Sequence, residues 1–314
     1  MFRAWVKCLI LIGVSMQICS FLPSATEILY ALGLGESVAG VTFECDYPPE
    51  AARKPVIVDT ILRHGLSQEE IDRDVNQYSS HGESLYRVDV ERLEAIRPDL
   101  IVTQELCDVC AVSSSHLAKA LYRLSTKPTV LSLTPHTLND VFTDIKRVGL
   151  ATEREIPAQE LVASLRQRVE RIKDHAKTQA PRVACLEWLS PPFNGGHWIP
   201  EMVTLAGGID PLGKLGEDSF RMPWQQILDA DPEVVFVMPC GYDLQRAISE
   251  YHKTELPPGW EDVSAVRNGR VYALNATAYF SRPGPRLVDG LEIMHALLQE
   301  DAVIALPPQS WAKL

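Results

Sequence analysis

Apolar and polar positions follow two patterns along this chain, one typical of buried strands and one typical of amphipathic helices. A module that joins them occurs twice, at residues 93–102 and 228–237. In each copy a short helical pattern meets a proline, and an apolar, β-rich run follows it. We expect each helix to stop before its proline, because the residue that precedes proline is pushed out of the α region. The repetition predicts two lobes that are built alike.

The openings of the two halves also resemble each other. Residues 17–22 and 182–187 are short apolar runs, and each precedes a proline-containing loop and a helical pattern. A buried strand followed by a helix is the unit of a parallel sheet. We therefore predict an α/β fold of two Rossmann-like lobes with central, mostly parallel sheets, at residues 16–151 and 180–314.

The segment between the lobes has the pattern of one long helix. Its apolar residues recur at steps of four, four, three and four, at Leu161, Leu165, Val169, Ile172 and Ala176. This spacing places them on one helical face, and the other face is charged. No glycine interrupts the pattern between residues 156 and 177. We predict a single connecting helix within residues 152–179.

Composition limits the classes of function. The chain has 314 residues, of which 46% are hydrophobic and 23% charged, which is typical of a globular protein of about two domains. The net charge of −11 and the lack of a basic block disfavour nucleic acid, whose phosphates are neutralised by clustered Lys and Arg. No apolar run reaches the ~20 residues that span a bilayer. We expect a monomer that binds a small molecule.

The N-terminal 15 residues have two interpretations. Residues 8–14 are apolar and follow basic positions, as in a short signal peptide with a cleavage site after Ser15. The first strand pattern, however, begins at Gln17, so Met16 is an alternative start and residues 1–15 a spurious extension. Seven cysteines, an odd number, do not form a paired disulfide framework. This slightly favours a cytoplasmic location if Met16 is the start; otherwise the protein is periplasmic or exported.

Loops at the carboxyl ends of the predicted strands contain the candidate binding residues, because ligands of open α/β sheets bind there. Large aromatic side chains are frequent in these loops and could form a slot for a large, flat, partly apolar ligand. The slot residues are Tyr47, Trp188, Phe193, Trp198, Tyr279 and Phe280. In the first such loop, Ser24 and Glu27 have the spacing of a helix capping box.

Cysteines in the same loops allow a competing interpretation. Cys107 and Cys110 form a C-x-x-C pair, which is compatible with a redox pair, with a metal site, or with no chemistry. The further ligands that a metal site needs are available from Cys45, Cys240, His136 and His197. No Ser-His-Asp order, glycine-rich phosphate loop or H-E-x-x-H motif occurs in the sequence, so we expect a binding protein rather than an enzyme.

Four short motifs carry a resemblance to a known family. They are Pro-Ser-Ala-Thr-Glu-Ile-Leu at 23–29, Asp-Tyr-Pro-Pro at 46–49, Pro-Pro-Phe at 191–193 and Pro-Arg at 285–286. From about residue 17 to residue 299, the chain resembles the cobalamin-binding, helical-backbone class of ABC-importer substrate-binding proteins. That class also includes haem and ferric siderophore binders. Asp-Tyr-Pro-Pro together with Pro-Pro-Phe favours the cobalamin branch.

The resemblance implies a binding mode. Cobalamin or a related corrinoid would lie edge-on between two lobes that move little, held mainly by aromatic and aliphatic contacts. Positions that match the family motifs near the ligand are Pro23, Tyr47 and Phe193. We expect polar contacts to the amide fringe of the corrin from Glu44, Glu187 and Arg282. His197 is either an axial cobalt ligand or a structural histidine.

Two features depart from the importer pattern. Glu91 matches the first-lobe glutamate that docks onto permease arginines, but the second-lobe equivalent is the uncharged Gln225. This departure makes an ABC permease partner an open question. An insertion at residues 59–84, helix-like from 67 to 78, is absent from the importer pattern, and it either caps the cleft or decorates the surface.

Overall fold

The first half of the chain forms a six-stranded sheet. The computed structural model describes residues 16–63, 65–81, 83–104, 114–175, 180–300 and 305–314. The strands in chain order are β1 Ile18–Ser20, β2 Val38–Thr42, β3 Val56–Thr60, β4 Tyr86–Val88, β5 Leu100–Gln104 and β6 Thr129–Leu133. Their order in the sheet is β4-β3-β2-β1-β5-β6, and every neighbouring pair is parallel except β3 with β4.

Helices pack around this sheet and lead out of it. In chain order they are α1 Pro23–Ala31, α2 Gln68–Ser80, α3 Val90–Ile96, α4 Ser114–Tyr122, α5 Leu138–Ala151 and α6 Glu155–His175. Short 3₁₀ turns occupy Gly35–Ser37 and Ala51–Arg53. None of the helices in the described ranges, here or in the second half, is both long and apolar enough to cross a bilayer.

The second half forms a five-stranded sheet. Its strands are β7 Val183–Leu189, β8 Pro192–Asn194, β9 Val234–Val237, β10 Val271–Leu274 and β11 Trp311–Lys313. The order is β11-β10-β9-β7-β8, with a parallel centre and two antiparallel outer strands. Its helices are α7 Ile199–Leu205, α8 Trp224–Ala230, α9 Leu244–Lys253, α10 Ser264–Arg267, α11 Ala276–Tyr279 and α12 Leu287–Gln299. A 3₁₀ turn occupies Trp260–Asp262.

The predicted two-lobe α/β fold is confirmed, and so is its repeated module. Helices α3 and α8 both end at a residue in the left-handed region, Arg97 (φ 53°) and Asp231 (φ 39°), directly before a proline. The strands that follow, β5 and β9, lie in the sheet beside β1 and β7. The three consecutive parallel strands β1-β5-β6 in one lobe therefore correspond to β7-β9-β10 in the other.

One long helix, α6, joins the lobes as predicted. It buries the face formed by Ala158, Val162, Leu165, Val169 and Ile172. This face packs between α5 of the first lobe and α12 of the second. One continuous hydrophobic cluster includes side chains from α6 and from both sheets. Because one hydrophobic core extends from lobe to lobe, a large hinge motion between them is disfavoured. Residues 176–179, at the predicted end of the connecting helix, lie outside the described residues.

The insertion at 59–84 begins its helix with a capping box. Glu70 N–H donates to Ser67 Oγ at 3.2 Å, and Ser67 N–H donates to Glu70 Oε2 at 2.8 Å. This reciprocal pair satisfies two of the free N–H groups at the start of α2. The helix therefore starts at Gln68, close to the predicted position.

The same insertion crosses to the second lobe. Gln68 is fully buried, and its Oε1 accepts hydrogen bonds from the backbone N–H groups of Leu189 (2.8 Å) and Ser190 (3.1 Å). One turn further along α2, Asp72 pairs with Arg221 at 2.8 Å. Of the two interpretations of the insertion, these contacts favour the cap, because they run from α2 to the second lobe.

Candidate ligand-binding cleft

The carboxyl ends of the two sheets face each other. Glu27 and Asp46 follow strands β1 and β2 of the first lobe, whereas Arg282 and Arg286 follow β10 of the second. Side chains of the two pairs are in direct contact. The gap between the lobes is therefore the place where ligands of open α/β sheets bind.

We call Glu27, Asp46, Arg282 and Arg286 the arginine clamp. Arg286 donates two hydrogen bonds to the carboxylate of Glu27, at 2.9 and 2.5 Å. Arg282 donates to Asp46 Oδ1 at 2.5 Å, to Glu27 Oε1 at 3.5 Å and to the backbone oxygen of Glu44 at 2.8 Å. Charge-assisted hydrogen bonds of this kind are stronger than neutral ones, and they also fix the orientation of the two side chains. Arg282, a predicted ligand contact, therefore also joins the two lobes.

Two acids of this region, Glu27 and Glu44, have a pKa above the ordinary value. Burial raises the pKa of Glu27, and the two clamp arginines oppose that rise. Burial also raises the pKa of Glu44, with Arg282 opposing and Asp46 adding to the rise. Glu44 lies partly buried beside the clamp.

The capping box expected at Ser24 and Glu27 is wrong. Helix α1 begins at Pro23 with Leu22 as its N-cap, and no side chain caps it. Ser24 therefore lies inside the helix. The carboxylate of Glu27 is directed to the arginines of the other lobe, whose charge attracts it more strongly than a backbone N–H does.

Two tyrosines flank the clamp. The guanidinium carbon of Arg286 lies 4.0 Å from the ring centre of Tyr47 and 5.8 Å from that of Tyr279. Tyr47 is 45% exposed. Tyr279 is partly buried. Pro23 is partly exposed at the start of α1. These three residues offer apolar surface on either side of the clamp.

A second aromatic group lies in the other lobe. Trp188 and Phe193 are directly opposite each other in the β7–β8 pair, so their side chains share one face of the sheet. Trp188 packs edge-on against Tyr242 with ring centres 5.5 Å apart, and Arg246 stacks on Tyr242 at 3.7 Å. The indole N–H of Trp188 is buried without a hydrogen-bond partner. A donor of this kind is rare in native structures and suits a ligand acceptor.

Two of the predicted slot residues are core residues instead. Trp198 is 5% exposed and Phe280 is 1% exposed. The indole N–H of Trp198 donates to the backbone oxygen of Phe280 at 2.8 Å, which satisfies its polar atom inside the core. Both belong to the hydrophobic cluster that passes through the lobes. The partly exposed members of the predicted slot are Tyr47, Trp188, Phe193 and Tyr279.

Glu187 is a carboxyl at the end of β7 that binds the following loop. Its Oε1 accepts a hydrogen bond from the backbone N–H of Gly196 at 3.2 Å. Burial raises its pKa to about 7, although bonds from Gly196 and Ser219 oppose the rise, and Asp210 adds to it. Glu187 therefore changes charge close to neutral pH.

His197 lies in a group with His136 and Asp218. The metal-ligating atoms of the three side chains all lie within 4.8 Å of one another. Burial lowers the pKa of His197, Asp218 opposes that fall and His136 adds to it. In the part of the chain that the structure describes, this is the one group of three or more His, Cys, Asp or Glu side chains close enough to share a metal ion.

Two of the four predicted metal-binding cysteines, Cys45 and Cys240, lie within the described residues. Cys45 is buried, with its Sγ 3.1 Å from Thr26 Oγ1 and 3.2 Å from Thr42 Oγ1. Burial raises the pKa of its thiol, which disfavours the thiolate that metals bind. Cys240 is exposed. The remaining pair, Cys107 and Cys110, lies outside the described residues.

The two positions matched to permease docking correspond in structure. Glu91 and Gln225 are both exposed in the first turns of the equivalent helices α3 and α8. Gln225 donates from its amide nitrogen to Asp229 Oδ1 at 2.8 Å. The second lobe therefore presents an amide where the first presents a carboxylate.

Several residues that shape the cleft carried no interpretable signal in the sequence. Gln68, Asp218 and Arg246 lie in no motif and act through contacts with distant segments. Arg286 ends the Pro-Arg motif, and that motif was the available signal for its role. A buried arginine requires a buried acid, but the spacing of Ser24 and Glu27 indicates helix capping rather than a pair with a distant arginine.

Comparisons with known proteins agree with this architecture. The vitamin B12-binding protein of Vibrio cholerae serotype O1 is 25% identical over 287 residues, which cover 88% of this chain and 86% of the relative. An uncharacterised ABC transporter substrate-binding lipoprotein of Bacillus subtilis (strain 168) is 26% identical over 285 residues, covering 88% of this chain and 77% of the relative.

Solved structures extend the comparison. The crystal structure of the periplasmic vitamin B12-binding protein of Vibrio cholerae matches with a TM-score of 0.66 at 25% identity, covering 90% of this chain and 96% of that one. A periplasmic haem-binding protein of Pseudomonas aeruginosa matches in fold, with a TM-score of 0.70 at 18% identity, covering 95% and 97%. The family model described as periplasmic binding protein matches residues 18–278. The chain therefore belongs to the periplasmic binding protein family.

Proposed function

We propose that this protein is a non-catalytic receptor that binds cobalamin or a related corrinoid between its two lobes. The observation that carries the proposal is the similarity to the Vibrio cholerae vitamin B12-binding protein. That similarity extends over 88% of the chain in sequence and 90% in structure. It includes the connecting helix and the loops of both lobes, rather than one motif.

The side chains around the cleft support a large, partly apolar ligand. Tyr47 of the first lobe and Tyr279 of the second offer aromatic surface beside the clamp, and Trp188 and Phe193 offer more of it from the second lobe. The unpaired indole N–H of Trp188 suits the amide oxygens at the fringe of a corrin. A site with broad aromatic walls and few polar groups is typical of small-molecule and cofactor binding.

A direct binding experiment tests the proposal. The purified chain is incubated with cyanocobalamin or hydroxocobalamin and then desalted, and we expect about one equivalent of the red chromophore to remain. Trp188→Ala removes both the ring and the donor, and we expect it to weaken binding at least tenfold. Tyr122→Ala is the control, since Tyr122 is an aromatic side chain on α4 that is 86% exposed. Failure of both cobalamins to bind at micromolar concentration would refute the proposal.

The same purified protein also tests two competing functions. Haem or a ferric siderophore is the first, and haemin is therefore titrated in parallel with cobalamin. The second is a metal or redox protein that uses the loop cysteines, which predicts metal bound to Cys45, Cys107, Cys110 and Cys240 and no corrinoid. Retained haemin without retained cobalamin would assign the cleft to haem.

The proposed receptor has an ABC permease as its partner. Glu91 is the exposed carboxylate that would contact the permease from the first lobe, and Gln225 would contribute hydrogen bonds but no charge from the second. The names of the relatives favour a periplasmic or exported location over a cytoplasmic one, which cell fractionation tests. We expect Glu91→Ala to reduce corrinoid uptake in cells while leaving corrinoid binding by the purified protein unchanged.

A further inference from the structure

A group of two histidines and one aspartate lies where the lobes meet. His136 comes from the first lobe, in the loop between β6 and α5, whereas His197 and Asp218 come from the second. The Nε2 atom of His197 lies 3.1 Å from Oδ1 of Asp218, and the two imidazole ring centres are 5.9 Å apart. The ligand atoms of all three side chains lie within 4.8 Å of one another.

Backbone hydrogen bonds hold the second-lobe ligands in place. His197 N–H donates to the Glu217 oxygen at 2.6 Å, and Gly216 N–H donates to the His197 oxygen at 3.0 Å. Both backbone groups of His197 thus bind the loop that carries Asp218. A Cβ at Gly196 would lie 2.2 Å from the backbone nitrogen of Ser219, so the close approach of this loop requires glycine there.

The backbone of His197 is itself strained. Its φ is 52°, in the left-handed region that residues other than glycine seldom adopt. Strain of this kind persists where the surrounding structure fixes it, and it is concentrated at functional sites. The conformation is therefore maintained by the two hydrogen bonds to the Asp218 loop.

The first-lobe ligand is fixed independently. His136 N–H donates to Asp140 Oδ2 at 3.1 Å, within the capping box that begins α5. The next residues of α5 are attached to the second lobe, because Leu138 N–H donates to Glu201 Oε2 at 2.7 Å. His136 therefore lies next to a hydrogen bond that already connects the two lobes.

One ligand atom of the group is buried beside a carboxylate without a well-aligned hydrogen bond. The Nε2 atom of His197 is buried 3.1 Å from Asp218 Oδ1, but the pair lacks the geometry of an aligned hydrogen bond. Buried polar side-chain atoms in native proteins have well-formed partners in the large majority of cases, and an exception is often found where an ion binds. Asp218 Oδ1 lies 3.1 Å from this atom and the His136 ring lies beside the His197 ring, and carboxylates and imidazoles are both metal ligands.

We propose that His136, His197 and Asp218 bind one divalent transition-metal ion, with zinc the first candidate, and that this ion joins the two lobes. Two imidazoles and one carboxylate form a donor set of zinc and of iron(II), whereas magnesium and calcium take all-oxygen sites. Three protein ligands leave one position of a tetrahedral ion open to water. The site does not depend on what the cleft binds.

The test is a titration of the metal-free full chain with Zn²⁺ by calorimetry. We expect one equivalent to bind, and we expect His136→Ala, His197→Ala and Asp218→Asn each to weaken binding at least tenfold. His252→Ala is the matched control, because His252 is an exposed histidine on α9 and its loss should change nothing. Circular dichroism of each variant checks that it is folded.

Co²⁺ used in place of Zn²⁺ identifies the ligands. Imidazole and carboxylate ligands produce weak visible bands, whereas cysteine thiolates add intense charge-transfer absorption. We expect the weak bands alone, and their loss in His136→Ala and in His197→Ala. Charge-transfer absorption would assign the ion to cysteines and overturn the proposal.

Other results would contradict the proposal equally clearly. No Zn²⁺ binding at micromolar concentration removes the site. If Zn²⁺ still binds to His136→Ala, the ion does not join the lobes, because the two remaining ligands belong to one lobe. If His197→Ala abolishes a ligand-dependent shift in the cobalamin spectrum, His197 belongs to the corrinoid cobalt instead. Zinc binding without cobalamin binding would leave this site intact and refute only the proposed function.

Discussion

The carboxyl of Glu187 provides a quantitative test of the cleft electrostatics. Burial raises its pKa from an ordinary value of 4.5 to about 7, so the folded chain holds its proton more tightly than the unfolded chain does. Folding stability from this group is therefore fully present below pH 4.5 and falls as the pH rises towards 7. Above pH 7 the carboxylate is charged in both states, and the loss is complete.

The size of the effect follows from the two pKa values. Between pH 5 and pH 8, linkage gives a loss of about 2.5 kcal/mol in the free energy of unfolding for this one group. Glu187→Gln removes the titration, and its amide oxygen can still accept the Gly196 hydrogen bond. The free energy of unfolding of the variant, minus that of the original protein, should therefore rise by about 2.5 kcal/mol from pH 5 to pH 8.

Urea unfolding at pH 5, 6, 7 and 8 measures this difference. Other groups titrate over the same range, so the quantity to plot is the free energy of unfolding of the variant minus that of the original protein. Glu160→Gln, at an exposed position on α6, is the control and should give a flat line. A difference for Glu187→Gln that stays constant within about 0.5 kcal/mol would refute the reasoning.

Two further predictions concern the contacts between lobes. Arg286→Ala leaves the buried carboxylate of Glu27 with its better partner removed, and urea unfolding should show a loss of about 3 kcal/mol; a loss below 1 kcal/mol would mean that the clamp is not important for stability. Gln68→Ala leaves the N–H groups of Leu189 and Ser190 without their acceptor, and hydrogen exchange of the α2 amides should become faster; unchanged exchange would show that α2 does not need this contact.

Features with a local cause were predictable from the sequence. The bounds of α6 followed from apolar residues spaced along one helical face, of which Leu165, Val169 and Ile172 are buried as expected. The ends of α3 and α8 followed from the prolines after Arg97 and Asp231. Both features depend on steric or amphipathic rules that act within a few residues.

Contacts between distant segments were not predictable in the same way. Gln68 binds backbone groups 121 and 122 positions further along the chain, and no spacing or motif indicates such a pair. The aromatic residues were separated by packing rather than by sequence. Trp188 lies near the end of β7 and Trp198 directly precedes α7. The indole N–H of Trp198 has an acceptor in the core, whereas that of Trp188 has none.

The central claim is that one corrinoid binds between the lobes, and equilibrium dialysis of cyanocobalamin against the purified full chain tests it most directly. The account predicts one bound equivalent at micromolar concentration or below, and at least tenfold weaker binding for Trp188→Ala than for the Tyr122→Ala control. No retained cobalamin, or equal binding by the two variants, would contradict it.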